Sequence, residues 1–230
     1  MTLYPLIIFS EVNLFLFCFD DDKISFLRES ISTKKYFSTE YRLNHTLGVE
    51  REAVRLGELY CPEKIPMLRV AALLHDVTKE FSFEKQLQIC ERFGTIISNE
   101  QMMVKKTLHA VTAALVIPEE FPLFASDEVI SAVRYHTTGR GGMTLTEKII
   151  YLADYIEEGR AFCDCVKLRN YFYSENIEKM NEEERLLHLD KALILSFDMT
   201  IEQLICEGTP IDIDTTLARN DLIARIKKSI

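Results

Sequence analysis

Histidine and aspartate side chains are the groups in this chain best suited to chemistry, because imidazole and carboxylate ligands bind Fe, Mn, Zn or Co. The chain contains five histidines, and four of them lie on or beside apolar stripes of separate predicted helices. Two aspartates, one of them directly after a histidine, lie in the same kind of position. These six residues are His45, His75, Asp76, His109, His136 and Asp154.

One histidine on an apolar face is more often a satisfied core residue than a metal ligand. Four imidazoles and two carboxylates buried separately, however, would leave many polar atoms without partners. In the segment YLADYIEEGR, residues 151–160, Asp154 interrupts an apolar helix. An unpaired buried carboxylate is costly or shifts its pKa, so we predict that Asp154 faces a metal. His188, in a charged helix, is interpreted as a structural residue.

The elements that must position these groups are helices almost throughout, because from about residue 22 onward few segments alternate with period two. The segments CPEKIP, IPEEFP and TTGRGG mark breaks between helices. The pattern predicts one all-α domain. The predicted helices are 22–31, 38–60, 66–76, 83–93, 100–116, 126–136, 144–157, 181–206 and 214–228.

Composition limits the function classes. A net charge of −9 argues against nucleic-acid binding, which needs a basic face. Six cysteines without a CxxC pair predict free thiols and a reducing cytoplasm. Residues 1–21 are apolar but are interrupted by Pro5 and Glu11 and lack a basic n-region, which predicts neither a signal peptide nor a membrane span. We expect an N-terminal extension of unknown role, followed by the domain over 22–230.

The order of the candidate ligands is specific: a histidine, an adjacent His-Asp pair, two further histidines and a distant aspartate. This order resembles the HD-domain metal-dependent phosphohydrolases. The runs RLNHTLGV, LLHDVTKE, AVRYHTTGRGGM and EKIIYLADYIEEGR closely resemble the YqeK family of HD-domain proteins, described as symmetrical diadenosine tetraphosphate (Ap4A) hydrolases. The resemblance covers about residues 22–228. It departs at Glu158 and Gly141, where proline is common, and does not cover residues 1–21.

The resemblance implies a single HD-domain helical bundle with two metal ions in its core. His45, His75, Asp76 and Asp154 would hold one metal. His109 and His136 would hold the second, with Asp76 bridging. A hydroxide between the ions would attack, cleaving Ap4A into two ADP. The family suggests iron, while the ligand chemistry also fits manganese or cobalt.

A strongly anionic substrate also requires cations. Lys79, three residues after Asp76, is predicted to reach a phosphate and take part in catalysis. The other candidates flank ligand positions and offer guanidinium or backbone N–H groups to phosphate; they are Arg134, Thr137, Thr138, Gly139, Arg140 and Arg160. Arg42, one turn before His45, is a weaker candidate.

Three alternatives stay open at this point. The first is an HD-domain phosphohydrolase acting on another nucleotide, since the metal set is shared among such enzymes. The second is a nucleotide-sensing, metal-binding protein with little turnover. The third is a di-iron oxygenase, which the phosphate-suited Lys and Arg residues disfavour. A symmetric homodimer is compatible with a chain of this size, and no sequence argument fixes its interface.

Overall fold

The computed structural model describes residues 19–33 and 35–228 of the chain. It is a helical bundle, and no strand occurs within these ranges. The predicted all-α fold is therefore confirmed. The helices are α1 (Asp21–Ile31), α2 (Glu40–Tyr60), α3 (Ile65–Leu74), α4 (Phe83–Arg92), α5 (Asn99–Met103), α6 (Leu108–Glu120), α7 (Asp127–Tyr135), α8 (Leu145–Ile156), α9 (Cys163–Ser174), α10 (Glu182–Cys206) and α11 (Ile213–Lys228). Short 3₁₀ turns cover Pro62–Lys64, Lys105–Thr107, Pro122–Phe124 and Ile177–Lys179.

The centre of the bundle is α3, whose sequence IPMLRVAALL is apolar nearly all round. Leu68 and every residue from Val70 to Leu74 are buried. Helices α1, α2, α7 and α8 pack around it. A helix that is apolar on every side belongs in the core. The residues that follow α3 are therefore also delivered into the interior.

Side-chain caps fix where several helices begin. Thr39 accepts a hydrogen bond from the backbone N–H of Arg42 at the start of α2. Thr144 and Glu147 form a reciprocal capping box at the start of α8. Caps of this kind satisfy N–H groups that the helix itself cannot pair. They fix the residues at which α2 and α8 begin.

The segment before α2 is attached to α6 through one carboxylate. Lys35 Nζ and Tyr36 Oη lie 2.8 Å and 2.6 Å from Glu120 Oε2. Burial alone would raise the pKa of Glu120, but the hydrogen bonds from these two groups lower it overall. The Glu120 carboxylate is therefore stabilised in its ionised form.

Two of the predicted helices need correction, and one helix was missed. The predicted helix 100–116 is wrong as a single element, because the backbone leaves the helical region at Val104 and a 3₁₀ turn precedes α6. Helix α6 then runs through Pro118 to Glu120. Helix α3 ends at Leu74, earlier than the predicted 76. Helix α9 was not predicted; it buries Cys165, Leu168 and Phe172 on one face.

The N-terminal extension lies mostly outside the described residues, so the division of the chain at residue 21 stays a prediction. Among the described helices none is long and apolar enough to cross a membrane. The described cysteines are free, as predicted; they are Cys61, Cys90, Cys163, Cys165 and Cys206.

Candidate metal centre

The six candidate ligands come from five parts of the fold and meet in the core. His45 lies in the second turn of α2, and His109 lies in the first turn of α6. His75 and His136 are the residues directly after α3 and α7, and Asp76 lies in the turn that follows His75. Asp154 lies in the last turn of α8. Three overlapping groups, each with its ligand atoms within 4.8 Å of one another, include all six residues.

Asp76 occupies the middle of this cluster. Its Oδ1 lies 3.2 Å from His109 Nε2 and 3.6 Å from His136 Nε2. Its Oδ2 lies 3.4 Å from His75 Nε2 and 3.8 Å from His45 Nε2. Burial would raise the pKa of Asp76, but the neighbouring imidazoles of His75, His109 and His136 hold it well below its ordinary value. The carboxylate is thus ionised and turns one oxygen to each pair of histidines.

Asp154 closes the cluster on the side of α2. Its Oδ1 lies 3.0 Å from His45 Nε2 and 3.7 Å from His75 Nε2. The same oxygen accepts a hydrogen bond from Arg160 Nη2 at 2.5 Å. The question raised by a carboxylate in an apolar helix is therefore answered: Asp154 faces the histidine cluster.

Each imidazole is oriented through its Nδ1 atom. Nδ1 of His75, His109 and His136 lies 2.6, 2.8 and 2.7 Å from a backbone carbonyl three residues earlier. Nδ1 of His45 lies 3.1 Å from Glu157 Oε1. Since carbonyls accept hydrogen bonds, Nδ1 of His75, His109 and His136 carries the proton and their Nε2 atoms present lone pairs. His45 faces a carboxylate at each ring nitrogen, and against burial its hydrogen bonds to Asp154 and Glu157 raise its pKa to about 9.

This arrangement of lone pairs tests whether a metal fits. His109 Nε2 and His136 Nε2 lie 3.1 Å apart, so two acceptor atoms face each other. The Nε2 atoms of His45 and His75 are buried without a well-aligned hydrogen-bond partner. Burial lowers the pKa of His136, and burial together with the charge of Lys79 lowers that of His109 to about 3, so both rings are neutral. Imidazole nitrogens and ionised carboxylates converging on one buried point are the ligand set of a divalent metal.

Glu157, the residue after α8, is a part of the site that the sequence did not predict. Its carboxylate is buried, holds His45 and accepts the backbone N–H of Gly159 at 2.6 Å. Gly48, one turn after His45, leaves room for it, because a Cβ atom at position 48 would overlap the carboxylate. The spacing His45-x-x-Gly48 on one helical face was the available signal of a close neighbour.

Three of the cations near the predicted ligands point toward the cluster. Arg42 Nη1 lies 2.6 Å from Asp76 Oδ2, and Arg160 contacts Asp154. Lys79 Nζ lies 3.3 Å and 3.2 Å from the two ring nitrogens of His109. The hydroxyl of Thr137 also reaches the centre, with Oγ1 3.2 Å from His109 Nε2.

The other predicted phosphate-binding residues make protein contacts. Gly139, at φ +63°, donates its N–H to the carbonyl of Tyr135 at 2.9 Å, and the Thr138 hydroxyl donates to the carbonyl of Gly139. Arg140 Nε donates to the Glu147 carboxylate at 3.0 Å. The Arg134 guanidinium lies over the Tyr135 ring at 4.9 Å. A phosphate role for these four residues stays a prediction.

The fold and the cluster together define an HD-type metal site. Comparison with known families agrees, because the HD domain matches residues 42–159, which span all six candidate ligands. The chain belongs to the HD-domain family.

Proteins that are similar over most of the chain narrow the assignment within the HD-domain family. A Bacillus subtilis protein named bis(5'-nucleosyl)-tetraphosphatase, symmetrical, is 32% identical over 85% of this chain and 97% of its own length. A protein of the same name from Halalkalibacterium halodurans is 32% identical over 82% of this chain and 92% of its own length. The resemblance inferred from the sequence motifs is confirmed.

A solved structure is also similar. It is the crystal structure of a predicted HD superfamily hydrolase involved in NAD metabolism, from Clostridium acetobutylicum. It shares 34% identity and a TM-score of 0.71, covering 90% of this chain and 98% of that chain. The helical bundle described above is therefore the fold of an HD superfamily member.

Proposed function

We propose that this chain is a metal-dependent phosphohydrolase that cleaves Ap4A symmetrically into two ADP. The observation that carries the proposal is the buried cluster of four histidines and two aspartates centred on Asp76. The substrate is suggested by the named activity of relatives that match nearly the whole chain. Neither observation rests on the other, since the cluster is geometric and the substrate comes from relatives.

Two metal ions would fit the ligand set, with Asp76 shared between them. His45, His75 and Asp154 would complete one set, and His109 and His136 would complete the other. We propose iron, with manganese or cobalt compatible with the same ligands. When bound, such ions supply Lewis acidity and lower the pKa of the water that acts as nucleophile.

The protein's own cations would bind and orient the phosphates. Arg42 and Arg160 each use one N–H on a ligand carboxylate, and their Nε atoms are buried without a hydrogen-bond partner among the described residues. A guanidinium has five N–H donors in a fixed fork, so both residues have donors left for phosphate oxygens. The Lys79 ammonium, beside His109, provides a third positive charge.

The reaction balances without a further co-reactant. Water forms a bond to one of the two central phosphorus atoms, the bridging P–O bond breaks, and the bridging oxygen leaves with the second ADP. One proton of the water is released. Arg42, Arg160 and Lys79 would stabilise the negative charge that builds on the phosphate oxygens as the bond breaks.

The test is to incubate the purified chain with Ap4A and Fe(II) or Mn(II) and to separate the products by ion exchange. ADP as the single product supports the proposal, whereas AMP with ATP contradicts the cleavage position. His75→Ala and Asp76→Ala should abolish turnover, and Glu158→Gln, an exposed carboxylate next to the site, serves as the control. NAD and dATP should be assayed as alternative substrates alongside Ap4A. Bound nucleotide without any product would favour a sensing protein.

We also propose a cytoplasmic location, supported by the five free cysteines described above. The homodimer and the role of residues 1–21 stay predictions. Size-exclusion chromatography with light scattering, on the full chain and on a chain starting at residue 19, would examine both.

A further inference from the structure

A cavity of about 380 Å³ lies against one wall of the metal centre. It is enclosed by the turn before α6, the C-terminal part of α10 and the loop that leads into α11. Its volume falls in the range of small-molecule sites, about 300–1,000 Å³. Aliphatic and hydroxyl side chains form much of its lining, including Val104, Leu204 and Thr200.

The cavity and the metal centre share residues. Thr137 lines the cavity, and its Oγ1 lies 3.2 Å from His109 Nε2. Lys106 also lines the cavity, and its backbone carbonyl holds His109 Nδ1 at 2.8 Å. A molecule seated in the cavity would therefore extend directly into the cluster around Asp76.

Two carboxylates line the cavity: Glu207, which accepts a hydrogen bond from Gln203 Nε2 at 2.7 Å, and Asp212, which gives the cavity a direction. Asp212 lines it at the end formed by the α10–α11 loop. Its Oδ1 accepts the backbone N–H of Asp214 at 3.0 Å, and its Oδ2 lies 3.5 Å from the Thr107 hydroxyl. A carboxylate can accept about four hydrogen bonds, so both oxygens retain acceptor capacity. A phosphate placed beside Asp212 would be repelled, while a sugar hydroxyl placed there could donate.

We infer that this cavity binds one nucleoside of the substrate, with the ribose hydroxyls at Asp212 and the phosphate chain leaving past Thr137 toward the metal centre. The inference rests on the proposed function, which requires a nucleotide at that centre. The apolar lining matches a base face, and Lys106 at the shared wall matches the sign of the phosphate chain. The subsite holds one of the two nucleosides of Ap4A.

The chain contains no tryptophan, so a single introduced tryptophan is a site-specific reporter of binding. Met103→Trp places it on the cavity lining, at a residue that is 65% exposed. Ile205→Trp is the matched control, because Ile205 is also 65% exposed and lies beside the cavity without lining it. Each protein, loaded with Mn(II), would be titrated with ADP and with pyrophosphate, and binding would be checked by calorimetry.

A saturable fluorescence change is expected for Met103→Trp with ADP. Pyrophosphate, which has no nucleoside, should give none, and the Ile205→Trp signal should stay flat. A second measurement compares ADP with 2',3'-dideoxy-ADP. The sugar hydroxyls should improve binding about tenfold in the unsubstituted chain, as expected for a hydrogen bond to a charged group. The advantage should disappear in Asp212→Asn.

Calorimetric ADP binding with a silent Met103→Trp reporter would overturn the subsite, as would an undiminished hydroxyl advantage in Asp212→Asn. Absence of any ADP binding would also overturn it. Ap4A hydrolysis by the unsubstituted chain is measured separately. Ap4A turnover with a silent reporter would overturn the subsite but not the proposed function. A responsive reporter without Ap4A turnover would overturn the proposed hydrolysis but not nucleotide binding in the cavity.

Discussion

Glu157 is the residue whose substitution best tests how the metal centre is built. Its carboxylate lies 3.1 Å from His45 Nδ1 and does not reach the metal-facing side of that ring. Glu157→Gln keeps the shape and an acceptor oxygen but removes the negative charge. We expect the substituted chain to fold normally and to bind its metal more weakly.

The size of the effect follows from the kind of hydrogen bond that is lost. Hydrogen bonds to a charged group are worth about 1.5–3 kcal/mol, and neutral ones about 0.5–1.5 kcal/mol. Replacing the first by the second costs about 1.2 kcal/mol at the middle of these ranges, which is about eightfold in affinity. Partners that orient a ligating histidine typically contribute about 10–100-fold to metal affinity. Glu157→Ala, which removes the acceptor entirely, should lie near the upper end of that range.

The assay is competition for Mn(II) or Zn(II) between the protein and a chromogenic chelator. Glu158→Gln is the control, since Glu158 is 78% exposed and pairs only with Arg55 across 3.3 Å among the described ion pairs. It should bind metal as the unsubstituted chain does. Equal affinities for Glu157→Gln and the unsubstituted chain would refute the view that Glu157 orients His45.

Three further substitutions probe packing and charge. Gly139→Ala should destabilise the chain by about 3 kcal/mol, because φ is +63° and the new Cβ would press on core atoms of α10 and α11. Gly208→Ala, at the same φ with nothing within 4 Å, should cost about 1 kcal/mol. Urea denaturation of the two variants compares these losses, and equal losses would contradict the packing argument. Gly48→Ala should displace the Glu157 carboxylate, which should lower metal affinity and destabilise the chain by about 1–3 kcal/mol. Unchanged metal affinity would contradict this. The pKa of folded Glu120 lies below its ordinary 4.5, so its ionised form stabilises the chain above pH 4.5, and this stabilisation is lost as the pH falls through the folded pKa. The difference in unfolding free energy between the unsubstituted chain and Glu120→Gln should therefore shrink on acidification. A difference that stays constant with pH in denaturation experiments would contradict this.

The sequence predicted the convergence of the six ligands well because each sits on or beside an apolar helical face. Hydrophobic periodicity directs such faces inward, and six polar groups directed inward must meet one another. The family motifs then supplied their order. Asp154 is the clearest instance, since its interruption of an apolar stripe carried the information without any partner being known.

Features outside helical periodicity could not be predicted in the same way. Glu157 lies beyond the end of α8 in extended backbone, where spacing says nothing about direction. The break at Val104 has neither glycine nor proline to mark it. The Gly139 N–H pairs with the carbonyl of Tyr135 as the backbone leaves α7, a contact that helical spacing does not predict. Contacts at helix ends and turns depend on the local backbone direction, which helical periodicity does not specify.

The way the four imidazoles are held has a consequence for how the site tolerates change. The carbonyls that orient His75, His109 and His136 belong to the backbone, so they persist whatever side chains occupy residues 72, 106 and 133. His45 alone among the four depends on another residue's side chain. Substitution at these three residues is therefore limited by core packing at Ala72 and Val133 but leaves the orienting acceptors in place, whereas the acceptor for His45 is lost when the single residue Glu157 is replaced.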